Sequence, residues 1–341
     1  MSKPANANDV CVGPTSQNAG KASTCDGCPN QNACSSGKYN NTSANNDTNK
    51  EIGTRLESVK NILLVLSGKG GVGKSTVSSQ IAWTFAHWGL KVGILDIDIC
   101  GPSIARMMGV EDEEVHRSGS GWEPVNVSNN LCVMSVAFML PNKNDAIIWR
   151  GPRKTGLIKQ FLCDVSWNNL DYLIIDCPPG TSDEHISITS FILNSKKYNK
   201  NININALIVS TPQEVSLLDV RKEISFCNKV RLNILGIVEN MKYFVCNCCG
   251  KKQKIFYPNT GGARNLSKRF NIPYLSGIPI DSNLLRITEK GKGYIKWCNK
   301  YCNNKNNKTR IALIKLCKEI LRIQYNDKYE LMVNNINNDN F

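Results

Sequence analysis

The chain has 341 residues, of which 41% are apolar, and it carries a formal net charge of +14. This apolar fraction is enough for a sizeable core and excludes a wholly disordered protein. The longest apolar runs, such as residues 62–66, are far shorter than the ~20 residues that a membrane-spanning helix needs. The N-terminus has neither the apolar stretch of a secretion signal nor an Arg-rich amphipathic start, which predicts a cytoplasmic location.

The first 55 residues are rich in Asn, Ser, Gly and Lys and show almost no apolar periodicity. We expect a Cys-rich segment followed by a flexible linker over residues 35–54, because such a composition cannot bury a core. The segment contains four cysteines, namely Cys11, Cys25, Cys28 and Cys34. Four thiols with short gaps are typical of an iron–sulfur site, whereas structural zinc usually takes two close pairs. The spacing favours a cluster and leaves zinc open.

Residues 56–325 predict one α/β domain. Short continuous apolar runs, typical of strands buried on both faces, alternate with segments typical of helices. The runs are 62–66, 91–95, 171–175, 206–209 and 234–238, and the helical segments include 75–88, 156–163 and 214–227. This alternation predicts a mostly parallel sheet with helices on both faces. The polar, Asn-rich residues 326–341 are expected to form a disordered tail.

A glycine-rich sequence, GKGGVGKST, follows the first predicted strand and opens a helix. It matches GxxxxGK(S/T) in the context of a phosphate-binding loop, where backbone N–H groups and the helix N-terminus attract anions. We expect Lys74 to reach the β- and γ-phosphates of ATP, the Ser75 hydroxyl to ligate magnesium, and Thr76 to support the α-phosphate side. The expected nucleotide-binding residues of the loop are Gly68, Lys69, Gly70, Gly71, Val72, Gly73, Lys74, Ser75 and Thr76.

The second lysine of the loop, Lys69, makes it similar to the deviant Walker A loop of the group that includes MinD, ParA and the nitrogenase iron protein. This resemblance implies that Lys69 reaches the nucleotide of a partner subunit, so that the active ATPase is a dimer. It implies that Asp98 polarises the attacking water and that Asp96 and Asp176 hold magnesium through its water shell. Any one of these carboxylates would alternatively cap the following helix.

The same resemblance assigns two further contacts with the nucleotide. The backbone N–H of Gly180, in DCPPG, would sense the γ-phosphate. Asn240, in VENM, would contact the adenine.

A second group of cysteines lies in YFVCNCCGKKQKIF and comprises Cys246, Cys248 and Cys249. Cys246 and Cys249 form a CxxC pair that supplies two thiolates, whereas a cluster takes four. A two-fold symmetric dimer would supply the other two, with Cys248 as a spare. Half of a zinc knuckle and a thiol redox pair remain alternatives.

The whole positive excess of the chain lies after residue 220. A basic surface binds nucleic acid, anionic lipid or an acidic partner. No basic motif interleaved with aromatic residues is evident, so we expect a solvated face and no binding to nucleic acid or membranes.

Residues 9–325 as a whole resemble the Mrp/NBP family of P-loop ATPases, in the branch of eukaryotic nucleotide-binding proteins. The resemblance rests on the number and spacing of the four N-terminal cysteines and on seven sequence motifs. These are KGGVGKST, DIDICGPSI, IWRGPRKTGLIKQFL, DYLIIDCPPGTSDEH, VENM, TGGA and GIPID.

This resemblance implies an ATPase that assembles a four-iron four-sulfur cluster and transfers it to cytosolic and nuclear apoproteins, working with targeting factors. It implies a homodimer, or a heterotetramer with a paralogous ATPase, with one N-terminal cluster per chain and one cluster bridging each dimer. A MinD/ParA-like positioning ATPase would share the loop but leave the clustered cysteines unexplained. An electron-transferring ATPase like the nitrogenase iron protein would arrange its cysteines differently.

Overall fold

A computed structural model describes residues 6–8, 11–13, 16, 18–35, 42–140, 149–246, 249–258, 260–301, 306–326 and 329. The chain forms two compact units, residues 1–51 and residues 52–341. The expected tail at 326–341 lies almost entirely outside the described residues, and so does Cys248. No helix in the described part is long and apolar enough to cross a membrane.

An eight-stranded sheet forms the centre of the larger unit and confirms the predicted α/β fold. Its strands are β1 (Val59–Ser67), β2 (Val92–Asp96), β5 (Val125–Ser128), β6 (Leu131–Ser135), β7 (Leu170–Pro179), β8 (Asn203–Ser210), β9 (Asn233–Glu239) and β12 (Tyr274–Gly277). The spatial order is β12-β9-β8-β1-β7-β2-β6-β5. All pairs are parallel except β5 with β6. Two small hairpins accompany the sheet: β3 (His116–Ser118) with β4 (Gly121–Glu123), and β10 (Phe244–Val245) with β11 (Lys252–Gln253).

Successive side chains of β1 point to opposite faces of the sheet, so both faces are apolar, and helices pack on each of them. Leu63 and Val65 belong to the core on one face, and Ile62, Leu64 and Leu66 to the core on the other. The helices in the described part of the chain are α1 (Gln31–Ser35), α2 (Thr42–Arg55), α3 (Lys74–His87), α4 (Ile104–Met108), α5 (Gly151–Cys163), α6 (Asp183–Ser195), α7 (Glu214–Val230), α8 (Gly262–Phe270), α9 (Ser282–Glu289), α10 (Tyr294–Tyr301) and α11 (Lys308–Tyr325).

Part of the linker expected over residues 35–54 is helical in the structure. Residues Thr42–Arg55 form helix α2. Within it Ile52 is fully buried, together with Leu56 just after the helix, in the core that also contains Ile62 and Leu64. Two apolar residues, four positions apart, hold this polar helix against the core. Two residues are too few to produce a visible apolar periodicity in the sequence.

Candidate functional site

The predicted phosphate loop connects β1 to α3, which begins at Lys74. Gly71 and Gly73 adopt φ values of +77° and +83°, in the left-handed region that favours glycine. A Cβ at Gly73 would collide with Asn240 Nδ2, so a larger residue would have to displace that side chain. The loop lines a cavity of about 170 Å³ together with Asp98 and Pro179. This cradle at a helix N-terminus suits a phosphate group.

Lys74 and Ser75 converge on one carboxylate at the end of β7. Lys74 Nζ lies 2.7 Å from Asp176 Oδ2, and Ser75 Oγ donates to the same oxygen at 2.6 Å. Ser78 Oγ donates to Asp176 Oδ1 at 2.7 Å. Burial works against the charged ammonium, but Asp176, followed by Asp96 and Asp98, raises the pKa of Lys74. A hydroxyl beside a carboxylate is the donor set that magnesium prefers, so these residues fit the predicted nucleotide with magnesium.

Asp96, at the end of β2, is fully buried and held by three donors. Asp96 Oδ1 accepts from the N–H of Asp98 at 3.1 Å, and Oδ2 accepts from Ile104 N at 3.2 Å and Ser135 Oγ at 3.0 Å. Burial, followed by the charge of Asp176, raises the pKa of Asp96 to about 7. Ile104 is the first residue of α4, so Asp96 accepts a hydrogen bond from the N-terminus of this helix. This agrees with the alternative prediction that one of the carboxylates caps a helix.

Asp98 lies on the wall of the phosphate cavity. Its Oδ2 is 4.0 Å from Lys74 Nζ, and 16% of its side chain is exposed. Burial is the largest influence and raises its pKa. A partly solvated carboxylate at this position is able to contact a water beside the phosphates, which agrees with its predicted role without testing it.

Three other predicted contacts lie around the loop. Asn240 Nδ2 donates to the carbonyl of Val72 at 2.9 Å, so this side chain braces the loop in the present structure. The N–H of Gly180 donates to Ser67 O at 2.8 Å, and sensing a γ-phosphate would require it to exchange that partner. Lys69 is exposed at the rim, as a lysine that reaches a second subunit would be.

The four N-terminal thiols come together in the smaller unit. They line one small pocket between the turns of residues 18–30 and helix α1. Burial and the neighbouring thiols of Cys11, Cys28 and Cys25 raise the pKa of Cys34. Four thiolates at this spacing repel one another unless bound iron compensates their charge, so the residues fit an iron–sulfur cluster.

The CxxC pair lies at the tip of a hairpin. Strands β10 and β11 pair on either side of it, and two backbone bonds close the turn, from Cys246 N to Lys251 O at 3.0 Å and from Gly250 N to Cys246 O at 2.9 Å. Cys246 is half-buried and Cys249 is exposed. The thiols therefore lie at a surface that a second subunit is able to reach.

No cysteine in the described ranges forms a disulfide. Among the same residues, no group of three or more His, Cys, Asp or Glu side chains is arranged to hold a metal ion.

One charged contact near the loop had no predicted role. Lys154 Nζ, in α5, lies 2.7 Å from Glu184 Oε1 in α6 and 3.4 Å from Cys100 Sγ, two residues after Asp98. The GPRKT motif was visible in the sequence, but nothing in its spacing indicated which carboxylate Lys154 would meet. The contact ties α5 and α6 to the loop that carries Asp98.

The fold and the loop define a P-loop NTPase. Residues 58–320 match the sequence model of the family described as NUBPL iron-transfer P-loop NTPase, within the ParA group. The chain belongs to this family. This confirms the resemblance to iron–sulfur P-loop ATPases.

Individual relatives agree with the family. The chain is 51% identical over 302 residues to a protein of Brugia malayi named cytosolic Fe-S cluster assembly factor NUBP1 homolog, covering 88% of this chain and 94% of the relative. It is 39% identical to a nucleotide-binding protein of Archaeoglobus fulgidus solved with ADP, with a TM-score of 0.61 over 72% of this chain and 91% of that one. MinD of Pyrococcus furiosus is 22% identical, with a TM-score of 0.52 over 77% and 99% of the two chains, and shares the fold.

Proposed function

We propose that this protein is a cytosolic ATP-dependent scaffold that assembles a four-iron four-sulfur cluster and passes it to apoproteins. One observation carries the proposal: a hairpin bearing an accessible thiol pair follows directly after the strand whose end contacts the phosphate loop. The 51% identity to a named cytosolic Fe-S cluster assembly factor supports the same function and location.

The nucleotide site supplies charge and orientation rather than covalent chemistry. Lys74 and the N–H groups of the loop would hold the phosphates, and Ser75 with Asp176 would hold magnesium, which neutralises charge on the phosphates when bound. Asp98 would orient the attacking water. Because Lys74 bonds to Asp176 in the present structure, nucleotide binding requires Lys74 to exchange this partner for phosphate oxygens.

Asn240 connects the loop to the hairpin. Its side chain donates to Val72 O, and β10 begins four residues later at Phe244. The backbone beyond Asn240 is fixed to the segment after β12 by Lys242 N donating to Ile278 O at 2.9 Å and Ile280 N donating to Tyr243 O at 2.8 Å. A movement of the loop on hydrolysis would therefore act on the thiol hairpin through a short, hydrogen-bonded path.

The thiol pair would hold the cargo cluster between two subunits. Each chain offers Cys246 and Cys249, so full ligation of four irons requires two chains. Exposed ligands suit a cluster that has to be released. The N-terminal set, Cys11, Cys25, Cys28 and Cys34, would hold a second, more firmly bound cluster.

A transfer assay tests the proposed function. The full chain is loaded with iron and sulfide anaerobically and mixed with an apo-ferredoxin, and holo-ferredoxin is measured with and without ATP. We expect ATP-dependent transfer that Lys74→Ala and Cys249→Ala each abolish, while Cys100→Ala, which removes another exposed thiol, retains it. Transfer by Cys249→Ala at the unaltered rate would contradict the proposal.

A further inference from the structure

The surface formed by α3, α9 and α10 contains a cleft of about 450 Å³. Trp83, Ile287 and Trp297 contribute its apolar lining. Trp83 lies nine residues after Lys74 in α3, roughly 14 Å along the helix at 1.5 Å per residue, so the cleft is separate from the phosphate cavity. Its volume is within the ~300–1,000 Å³ range of ligand-binding clefts.

Cations surround this cleft without carboxylate partners. Five basic side chains line it, namely Arg286, Lys290, Lys292, Lys296 and Lys300. All five are exposed, and none forms an ion pair within the described ranges. The neighbouring carboxylate of Glu289 lies 3.7 Å from Arg106 Nε instead. Burial, followed by Lys296 and then Arg310, lowers the pKa of His87, which agrees with a positive potential here.

An unpartnered donor belongs to Trp83, whose side chain lines this cleft. The indole N–H of Trp83 is buried and has no hydrogen-bond partner among the described residues. A Cβ at Gly293 would lie 2.9 Å from Trp83 Cβ, so the backbone packs closely against this side chain. A buried donor without an acceptor is unfavourable, so an oxygen of a bound partner that reaches this N–H would be stabilising.

The aromatic rings are not arranged as a platform for bases. The Trp297 ring centroid lies 5.6 Å from that of Tyr294 and 6.3 Å from that of Tyr301. Tyr294 is fully buried, and Tyr301, at 62% exposure, is the most open of the three rings. Single-stranded nucleic acid needs successive open rings on which to stack.

The spacing of the cations suits an extended acidic peptide. Lys296 and Lys300 lie one turn apart in α10, about 6 Å along the helix axis, and Lys292 lies two residues before this helix begins. Alternate side chains of an extended strand are spaced by ~6.6 Å, so carboxylates at every second position would meet successive lysines. In the sequence, GKGYIKWCNKY at 291–301 places these lysines among aromatic residues.

We propose that this cleft, lined by Trp83, Trp297 and the five cations, docks an acidic, extended segment of a partner protein. The inference rests on the proposed scaffold function only in naming that partner as a client or targeting protein. Carboxylates would pair with the α10 lysines, and a backbone or side-chain oxygen would accept from the Trp83 indole.

Fluorescence anisotropy of a labelled twelve-residue peptide of alternating glutamate and serine, with the full chain, tests the proposal. We expect binding that weakens at least tenfold in Lys292→Glu/Lys296→Glu and several-fold in Trp83→Phe, which replaces the indole by a smaller aromatic ring without a donor. Lys196→Glu/Lys200→Glu makes the same charge change at exposed lysines elsewhere and should alter binding less than twofold. Iron loading of each variant should equal that of the unaltered chain, which separates this proposal from the scaffold function.

Three results would overturn the proposal. The first is no binding of the peptide at low salt, and the second is equal weakening by the control pair. The third is tighter binding of a twelve-residue oligothymidylate, or of phosphatidylserine vesicles, than of the peptide, with the same sensitivity to Lys292→Glu/Lys296→Glu. That result would assign the cleft to nucleic acid or to lipid.

Discussion

Asp98 differs from the two other carboxylates of the nucleotide site in how it is held. Asp96 and Asp176 are fully buried and each accepts several hydrogen bonds from the protein. Asp98 is partly exposed, and its carboxylate is 4.0 Å from Lys74 Nζ, beyond a hydrogen bond. Apart from a hydrogen bond with the backbone of Gly101, its carboxylate is open to a water molecule, whereas the oxygens of Asp96 accept from three protein donors.

Asp98→Asn should keep nucleotide binding and lose hydrolysis. The amide has a similar shape but is a poor acceptor for a water proton, and a general base contributes ~10²–10⁴-fold to a rate. ATP turnover and binding of a fluorescent nucleotide measure the two effects separately. Glu114→Gln, at an exposed carboxylate, serves as the control. Hydrolysis by Asp98→Asn at the rate of the unaltered chain would show that Asp98 doesn't orient the water.

Glu223, in α7, is a buried carboxylate outside the nucleotide site. It is fully buried, and neither carboxylate oxygen has a hydrogen-bond partner in the described part of the chain. Burial, with a smaller contribution from Asp219, raises its pKa to about 7. The folded protein therefore holds this proton more tightly than the unfolded chain, so Glu223 lowers stability as the pH rises from about 4.5 to about 7.

Glu223→Gln should remove this pH dependence. We expect the free energy of unfolding of the variant, relative to the unaltered chain, to rise by roughly 2–3 kcal/mol between pH 5 and pH 8, since one pKa unit is worth 1.36 kcal/mol. The difference between the chains is the quantity to measure, because burial lowers the pKa of His185 to about 4 and gives it the opposite dependence over an overlapping range. Urea unfolding at several pH values, with Glu57→Gln as an exposed control, provides it. A difference in unfolding free energy that stays constant from pH 5 to pH 8 would show that Glu223 does not cause this pH dependence.

Among the elements, helix α2 has a larger structural role than its composition indicates. Ile52 is fully buried against the sheet, and Arg55 Nε donates to Cys163 O at 2.7 Å. A truncation that removes residues 1–55 therefore takes a core side chain with the Cys-rich segment, whereas a cut before Thr42 leaves it in place.

Ile52→Ala should lower the free energy of unfolding by ~2–4 kcal/mol, the usual cost of truncating a buried isoleucine. Chemical denaturation measures this change. Thr54→Ala, two residues later on an exposed position of the same helix, should change stability by less than ~0.5 kcal/mol. Equal effects of the two substitutions would mean that α2 isn't part of the core.

Sequence patterns predicted the central elements better than the edge ones. β1 is covered by helices on both faces, so its continuous apolar run was visible. β5 and β12 are four-residue edge strands with mixed burial, and no apolar run in the sequence identified them.

The phosphate loop was predictable because its spacing reflects local geometry, whereas the contact of Lys154 with Glu184 and Cys100 joins distant parts of the chain. The cleft around Trp83 likewise depends on how α10 packs against α3.

At the scale of the whole molecule, the cargo site is half complete in one chain. Cys246 and Cys249 supply two thiolates at the tip of a hairpin, and Lys69 is exposed beside the phosphate cavity. In a dimer, the two thiol pairs together would supply four ligands, and Lys69 would be able to reach the nucleotide of the partner subunit. Since a bridging cluster binds only the dimer, cluster loading and dimerisation should be thermodynamically linked.

The most direct test of this account is anaerobic sedimentation of the iron-loaded full chain, with iron counted in each peak. Cys25→Ala/Cys28→Ala in every sample confines the iron to the second thiol set. We predict one four-iron cluster per two chains, sedimenting as a dimer, and loss of both iron and dimer in the further variant Cys246→Ala but not in Cys100→Ala. Iron found in monomers, or a Cys246→Ala protein that still dimerises with a full complement of iron, would contradict the account.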